Sequence, residues 1–389
     1  MRDVFTRMKE LGVDVIINAG DIAYNGKPEV YRFYRKTFQE IFPENPPVML
    51  AVMGNHDFRN PQIKTLDEKY RIFLENMGLQ KLNFHTIVRG YHFVGFNPDS
   101  FNGEQYSNEA VQNARQMIRK ALAASGDRPV FVVSHFPAYR TVYGLGKGQV
   151  AKALAPFQNI VYFAGHTHLP LQDERCIHQR KYTAVATGTT SYGTLDKGKF
   201  FNRKGAHILN ADKVHQFLYM TVSDQEIKIR RFSVTPKKEI KPDSPWRIAL
   251  PLNPANYTYT DARAELRKAP QFPDRATAAV QPVRKPAPGI NLSFDAATHE
   301  DFVHSYALRI SRWNAAEQKW EPEDKELLFA SDFYLGIEQM KKRFEVFIPN
   351  RIFTFLPDCR YRLEIIPIES FGKRGDTLST EFTAEKSAG

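Results

Sequence analysis

Four short stretches carry residue types that could do chemistry. Ile160–His168 reads Ile-Val-Tyr-Phe-Ala-Gly-His-Thr-His, an apolar run that ends in Gly-His-x-His. Such a run, bounded by a turn signal, suits a buried strand of a parallel sheet. In an extended segment, residues two apart project to the same side, so His166 and His168 aim their imidazoles one way. Two imidazoles at a strand's end suit a metal ion, although a lone pair is also consistent with ordinary loop histidines. Three further apolar runs end similarly. Val13–Ala19 leads into Gly20-Asp21, Val48–Met53 into Gly54-Asn55-His56-Asp57, and Pro129–Val133 into Ser134-His135. Oxygen and nitrogen donors thus recur at the same end of four runs.

The elements that position these residues alternate. Residues 1–12 read as a helix with Val4, Phe5, Met8 and Leu11 on one face and Gly12 closing it. Residues 29–42, 66–77, 108–124 (with an Asn cap) and 147–155 read as further helices, and residues 91–96 as another strand. Alternating strands and helices predict a layered α/β domain with function at the carboxyl ends of its strands. Residues 182–187, 206–209, 215–222 and 226–232 read as strands of a second sheet packed on the first, the last two joined by a short hairpin turn, Ser223-Asp224-Gln225. Prolines are frequent over 235–289, which predicts a surface connector, with Trp246 and Ile248–Leu252 pinning part of it to the first domain. From about Ile290 the pattern is all-β, with strands expected at 290–294, 305–312, 344–348 and 360–368. That pattern predicts a β-sandwich. The expected organisation is 1–235, a connector over 236–289, and a sandwich over 290–389.

The 389 residues allow two or three domains, and 42% apolar with 25% charged residues is a globular composition. No apolar run approaches the ~20 residues of a membrane helix. Cys176 and Cys359 lie far apart and read as plain thiols. The net charge of +11 is compatible with anionic substrates. No Lys/Arg stripe interleaved with stacking aromatics points to nucleic acid.

The set Gly20-Asp21, Gly54-Asn55-His56-Asp57, His135 and Gly165-His166-Thr167-His168 resembles the calcineurin-like metallophosphoesterase superfamily over roughly residues 1–235. The resemblance implies two metal ions (Mn, Fe or Zn) and a phosphate-ester substrate. It makes Asp21 the bridge between the ions. Asn55, His135 and His166 would hold the second ion and His168 the first. His56 would be the catalytic histidine, protonating the leaving alkoxide or stabilising the phosphate, and Asp57 would brace the loop. The implied reaction is attack of metal-bound hydroxide on a phosphomonoester or phosphodiester. Rival readings are a specific phosphodiesterase, for example on cyclic nucleotides, and a non-catalytic binding protein that has lost a metal. In the C-terminal part, Tyr361–Phe371 followed by Gly372-Lys373 resembles the late strand and turn of fibronectin type III domains.

The chain departs from the family pattern at one point. The family begins with Asp-x-His on its first strand, and no aspartate here is followed two residues later by histidine. Two ligands of the first ion are therefore absent, leaving Asp21 and His168. The intact remaining motifs favour a late start over a lost metal. A late start would also remove any signal peptide, which leaves a lean toward an extracytoplasmic location. His85, His92, His178, His207 and His215 match no motif and read as structural, with His92, His207 and His215 on strands. Tyr24, Asn25, Arg140, Tyr143, Lys147 and Tyr192 read as solvated loop residues close enough to meet substrate, and no substrate-binding residue is assigned.

Overall fold

The computed structural model describes residues 1–142, 146–195, 210–283, 287–323 and 326–384. The chain divides into two compact units, Met1–Gly193 with Asp212–Asp261, and Thr194–Ala211 with Ala262–Gly389. The expected strand at 206–209, with Tyr143 and His207, lies outside the described residues.

The first unit opens with α1 (Arg2–Glu10), β1 (Val15–Asn18), α2 (Pro28–Ile41) and β2 (Val48–Ala51). Phe5 of α1 meets Tyr34, Phe38 and Phe42 edge-on, which seats α1 on α2. Helix α3 (Leu66–Met77) follows. Its limits match the expected ones because both caps are present. The Thr65 side chain accepts the Glu68 N–H, and Gly78 turns left-handed at φ 71°. Next come β3 (Phe84–Val88), β4 (Tyr91–Gly95), α4 (Asn108–Ser125), β5 (Val130–Val133), α5 (Gly148–Leu154), β6 (Ile160–Ala164), β7 (Ile177–Gln179) and β8 (Thr183–Ala186). The cap of α4 is Ser107, whose hydroxyl accepts the Ala110 N–H, so Asn108 is the first helical residue and not the cap.

Strands β3-β4-β5-β6-β8-β7 form one sheet, parallel across β4, β5, β6 and β8. The interior strands β5 and β6 are buried along their whole length, as a sheet covered on both faces requires. Among the described residues β1 and β2 pair only with each other, in parallel. The second sheet holds β9 (Gln216–Val222), β10 (Glu226–Ser233), β11 (Lys238–Ile240) and β12 (Trp246–Ala249). Strand β10 lies between β9 on one side and β11 and β12 on the other. Residues 236–261, expected as the start of a connector, thus complete this sheet. Buried Trp246 and Ile248 and half-buried Tyr259 join the first unit's core and hold the segment there.

The second unit is all-β. Its strands are β13 (Ala278–Val283), β14 (Gly289–Asp295), β15 (Ser305–Asn314), β16 (Lys319–Pro322), β17 (Leu327–Ala330), β18 (Arg343–Pro349), β19 (Arg360–Ile368) and β20 (Leu378–Thr383). One sheet runs β13-β14-β18; the other runs β16-β15-β19-β20, with β17 also on β15. Phe294, Tyr306, Phe329 and Phe344 stack at the centre of the core between them. Strand β13 draws on the Pro-rich stretch, whose Pro282 is tolerated on an edge strand. Both cysteines are free, Cys176 in the first unit and Cys359 in the second.

Candidate metal centre

The carboxyl ends of β1, β2, β5 and β6 deliver Asp21, Asn55, His135 and His166 to one place. Asp21, His135 and His166 offer donor atoms that all lie within 4.8 Å of one another. His135 Nε2 is 3.1 Å from Asn55 Oδ1, 3.3 Å from Asp21 Oδ2 and 3.3 Å from His166 Nδ1. His166 Nδ1 is in turn 3.2 Å from Asn55 Oδ1. Ligands held roughly 2.0–2.2 Å from one ion stand about this far apart.

The backbone is shaped to allow this convergence. Asp21, His166 and His168 all sit in the left-handed region, at φ 58°, 67° and 52°. Such conformations are uncommon for residues with a Cβ and gather at functional sites. Gly54 is required by close approach. A Cβ there would stand 2.2 Å from Asp21 Oδ1 and 2.5 Å from the His135 ring.

Hydrogen bonds fix which atom of each side chain faces inward. His135 is fully buried, and its Nδ1–H donates to the Ala19 carbonyl at 2.8 Å, leaving Nε2 as the donor to the centre. Asp21 Oδ1 accepts the His56 amide at 2.8 Å, whereas buried Oδ2 accepts no hydrogen bond. An orphaned carboxylate oxygen beside two imidazole nitrogens and an amide oxygen is the donor set a divalent cation uses. The residues therefore fit one ion.

Burial and the charges of the cluster shift these groups in different directions. Burial alone would raise the Asp21 carboxyl, but the His135 charge beside it and the His56 amide hold it well below the usual carboxylate range. Burial would lower His135, and Asp21 reverses that and raises it. Burial and then the neighbouring His135 charge push His166 down to about 3. Burial takes His168 to about 4 against the pull of Asp21. Both shifts favour the neutral form that ligation requires, whereas the shift of His135 favours its charged form.

His168 stands apart from the cluster. Its Nδ1 lies 3.1 Å from the Tyr192 carbonyl and its ring packs on Tyr192 at 4.5 Å. His56 is the second residue of the Asn55–Phe58 3-10 turn, with Nδ1 3.1 Å from the Tyr24 carbonyl and 3.0 Å from Arg59 Nη1. Burial, with Arg59 adding to it, lowers its pKa. Asp57 is buried behind this turn. Its Oδ1 accepts the Ala23 N–H at 2.8 Å and the Tyr31 hydroxyl at 3.0 Å, and its Oδ2 accepts the Gly54 N–H at 2.9 Å. One carboxylate thus ties the Asp21 loop to the Asn55 loop.

The other singled-out residues fall elsewhere. His85 and His92 bond each other at 2.8 Å, His178 bonds Asp261 at 2.9 Å, and His215 sits one residue before β9. Lys147 reaches Glu104 at 3.1 Å and Arg140 is an exposed loop residue. Sequence reasoning missed Arg59 and the anchoring parts of Tyr24 and Tyr192. The two tyrosines hold the histidines through backbone carbonyls, which have no side-chain signature.

A cavity of about 790 Å³ opens beside the centre. Its apolar walls include Ile17 of β1, Phe93, Phe131 and Phe163 of the six-stranded sheet, and Leu218 and Met220 of β9; His56, His166 and His168 line its polar part.

A group of side chains that could hold a cation thus sits at the strand ends of an α/β layered domain. Residues 1–170 match the family of calcineurin-like phosphoesterases, and this part of the chain is a calcineurin-like phosphoesterase domain, of a metal-dependent class that acts on phosphoric esters. No curated protein matches the chain. Among solved structures, the third fibronectin III domain of human KIAA0343 protein is 15% identical, with 32% of this chain and 89% of that one covered at a TM-score of 0.22. An uncharacterized protein from Streptococcus pneumoniae, described as a predicted phosphoesterase, is 11% identical over 60% of this chain and 96% of its own (TM-score 0.24). A protein from Staphylococcus aureus described as a 5'-nucleotidase, in complex with alpha-ketoglutarate, is 11% identical over 80% and 68% (TM-score 0.33). These likenesses are too slight to define the fold, which rests on the strand pairing and the family match. Among the described residues no helix is long and apolar enough to cross a membrane.

Proposed function

We propose that the first unit hydrolyses a phosphate monoester or diester with Asp21, Asn55, His135 and His166 as metal ligands and His56 as proton donor. The observation that carries this reading is the convergence of four donors, one of them an orphaned carboxylate oxygen, with His56 held close by through the Tyr24 carbonyl. Mixed nitrogen and oxygen donors suit Mn, Fe or Zn. A cation held there neutralises phosphoryl oxygens and acidifies water. His56, whose Nδ1–H would donate to the Tyr24 carbonyl, would give the leaving-group oxygen a proton from Nε2 as the imidazolium, the form that carries a proton on both nitrogens. Asp57 keeps the two ligand loops in register. The cavity beside His56 gives room for the ester's organic part.

The test is turnover of para-nitrophenyl phosphate and bis-para-nitrophenyl phosphate by the full chain with Mn, Fe or Zn. Release of nitrophenol is expected, and the preferred substrate separates monoesterase from diesterase. His56→Ala should lower kcat by about 10²–10⁴-fold while the bound metal stays. Metal bound without turnover of either substrate would leave a binding protein and sink the enzyme reading.

A further inference from the structure

Lys69 of α3 is only 3% exposed, and among the described residues its ammonium meets no carboxylate. Nζ donates to the Phe58 carbonyl at 2.6 Å and to the Phe101 carbonyl at 2.8 Å, and it stands 3.5 Å from the centre of the Phe101 ring. Two carbonyls and a ring face thus occupy its three donors. Lysine is seldom this buried unless an opposite charge pairs with it, because an uncompensated buried charge is costly. Burial accordingly pushes the Lys69 pKa down. An apolar side chain would fill the same space without that cost, so the explanation lies in what the ammonium holds.

It holds the far end of the Asn55–Phe58 turn, which carries His56. Asp57 fixes the start of that turn by accepting the Gly54 and Ala23 N–H groups. The end of the turn is fixed by Lys69 and by packing. The buried Phe58 ring meets Tyr70 edge-on at 6.0 Å. Gly103 lies so close over it that a Cβ there would stand 2.3 Å from Phe58 Cδ2. The Tyr70 hydroxyl donates to the Pro98 carbonyl at 3.0 Å, so successive residues of α3 hold the 98–103 loop against the turn. Asn55 begins the turn at the end that Asp57 fixes, and His56 lies between the two ties.

We propose that Lys69 is a positioning residue, which sets the place of the His56 imidazole by holding the Phe58 carbonyl. This inference rests on the reading of His56 as proton donor. A misplacement of about 1 Å can slow a reaction by about 10²-fold. Metal uptake should be spared, because Asp57 holds the Asn55 end of the turn without Lys69.

The test is Lys69→Met in the full chain, a side chain of similar length without donors. With the phenyl form of the preferred ester, kcat should fall about 10²-fold while KM and metal uptake stay nearly unchanged. The para-nitrophenyl form, whose leaving group departs with less need of a proton, should lose less. In a His56→Ala background, Lys69→Met should cost almost nothing further, because it acts through a group already removed. Nitrogen-15 NMR should show the His56 ring signals move while those of His85 and His92 stay. Equal losses on the two esters, an additive loss in the double variant, or unmoved His56 signals would overturn the inference and leave the phosphoesterase reading standing. A wild type that turns over neither ester would overturn the phosphoesterase reading, and the His56 signals would still decide whether Lys69 places that ring. Lys69→Gln, too short to reach both carbonyls, is read in the same way if Lys69→Met does not fold by circular dichroism. Failure of both variants to fold would make Lys69 a structural residue and overturn the inference.

Discussion

Asp57 shows how one buried side chain can matter to a site without touching it. It accepts two backbone N–H groups and a tyrosine hydroxyl from three parts of the chain. Burial, with the Asp21 charge adding to it, raises its pKa to about 6. Asp57→Asn keeps the shape but replaces one acceptor oxygen by an NH₂ that faces a donor. We expect a loss of about 1–3 kcal/mol, measured by chemical denaturation, and weaker metal uptake as the two loops part. An unchanged metal affinity in a folded Asp57→Asn would show that the loops hold register without it. At this scale the motif was legible, since Asp21, Asn55, His135 and His166 were nameable from position alone. What stayed hidden were contacts made through backbone, such as the Tyr24 and Tyr192 carbonyls, and Arg59, which is exposed and belongs to no pattern.

Short strand-to-loop turns do the positioning, and their glycines are the sensitive points. Gly54 packs its α-carbon where a side chain would collide with both Asp21 and His135. Gly54→Ala should abolish tight metal uptake while far-ultraviolet circular dichroism stays near native, because β2 ends before the substitution. Gly126→Ala is the control, since nothing lies within 4 Å of a Cβ there. Its φ of 61° with ψ of −132° is a conformation that glycine favours and costs an alanine about 1–3 kcal/mol, but metal uptake should be unchanged. Equal loss of metal in both variants would mean that global instability, not the collision, is responsible. Elements with local stop signals were read well, as Thr65 and Gly78 show for α3. Strands β16, β17 and β20 were not read. They are short, only partly buried, and take their conformation from pairing with β15 and β19, long-range partners that no local pattern encodes. The proline count over 235–289 misled for a related reason. Trp246 and Ile248 are held in the first unit as expected, but residues 238–240 and 246–249 are also strands paired with β10, a long-range pairing that composition does not encode.

Each unit carries its own core, so stability can be probed in one without reaching the chemistry of the other. In the second unit Phe294 is fully buried among Tyr306, Phe329 and Phe344. Phe294→Ala should destabilise that unit by about 3–5 kcal/mol, seen as a lowered thermal transition, with metal uptake retained. In the first unit the decisive group is Glu174. It meets Arg231 at 2.8 Å, Lys241 at 2.7 Å and the Trp246 indole N–H at 2.7 Å, and so ties the 3-10 turn after β6 to β10 and β12. Arg231 is wholly buried. Burial would raise the Glu174 carboxyl, but Arg231 and Lys241 outweigh it and lower it from 4.5 to about 2. A carboxyl whose pKa is lower in the folded chain stabilises it fully above its unfolded value. That contribution is lost as pH falls through the window from about 4.5 to about 2. Glu174→Gln leaves Arg231 buried without its counter-charge, a change that costs about 3–5 kcal/mol for a broken buried pair. The variant should therefore melt well below the wild type at pH 7, and the gap should narrow as pH drops through that window. A gap that held constant down to pH 2 would show that the Glu174 charge does not hold the two sheets together.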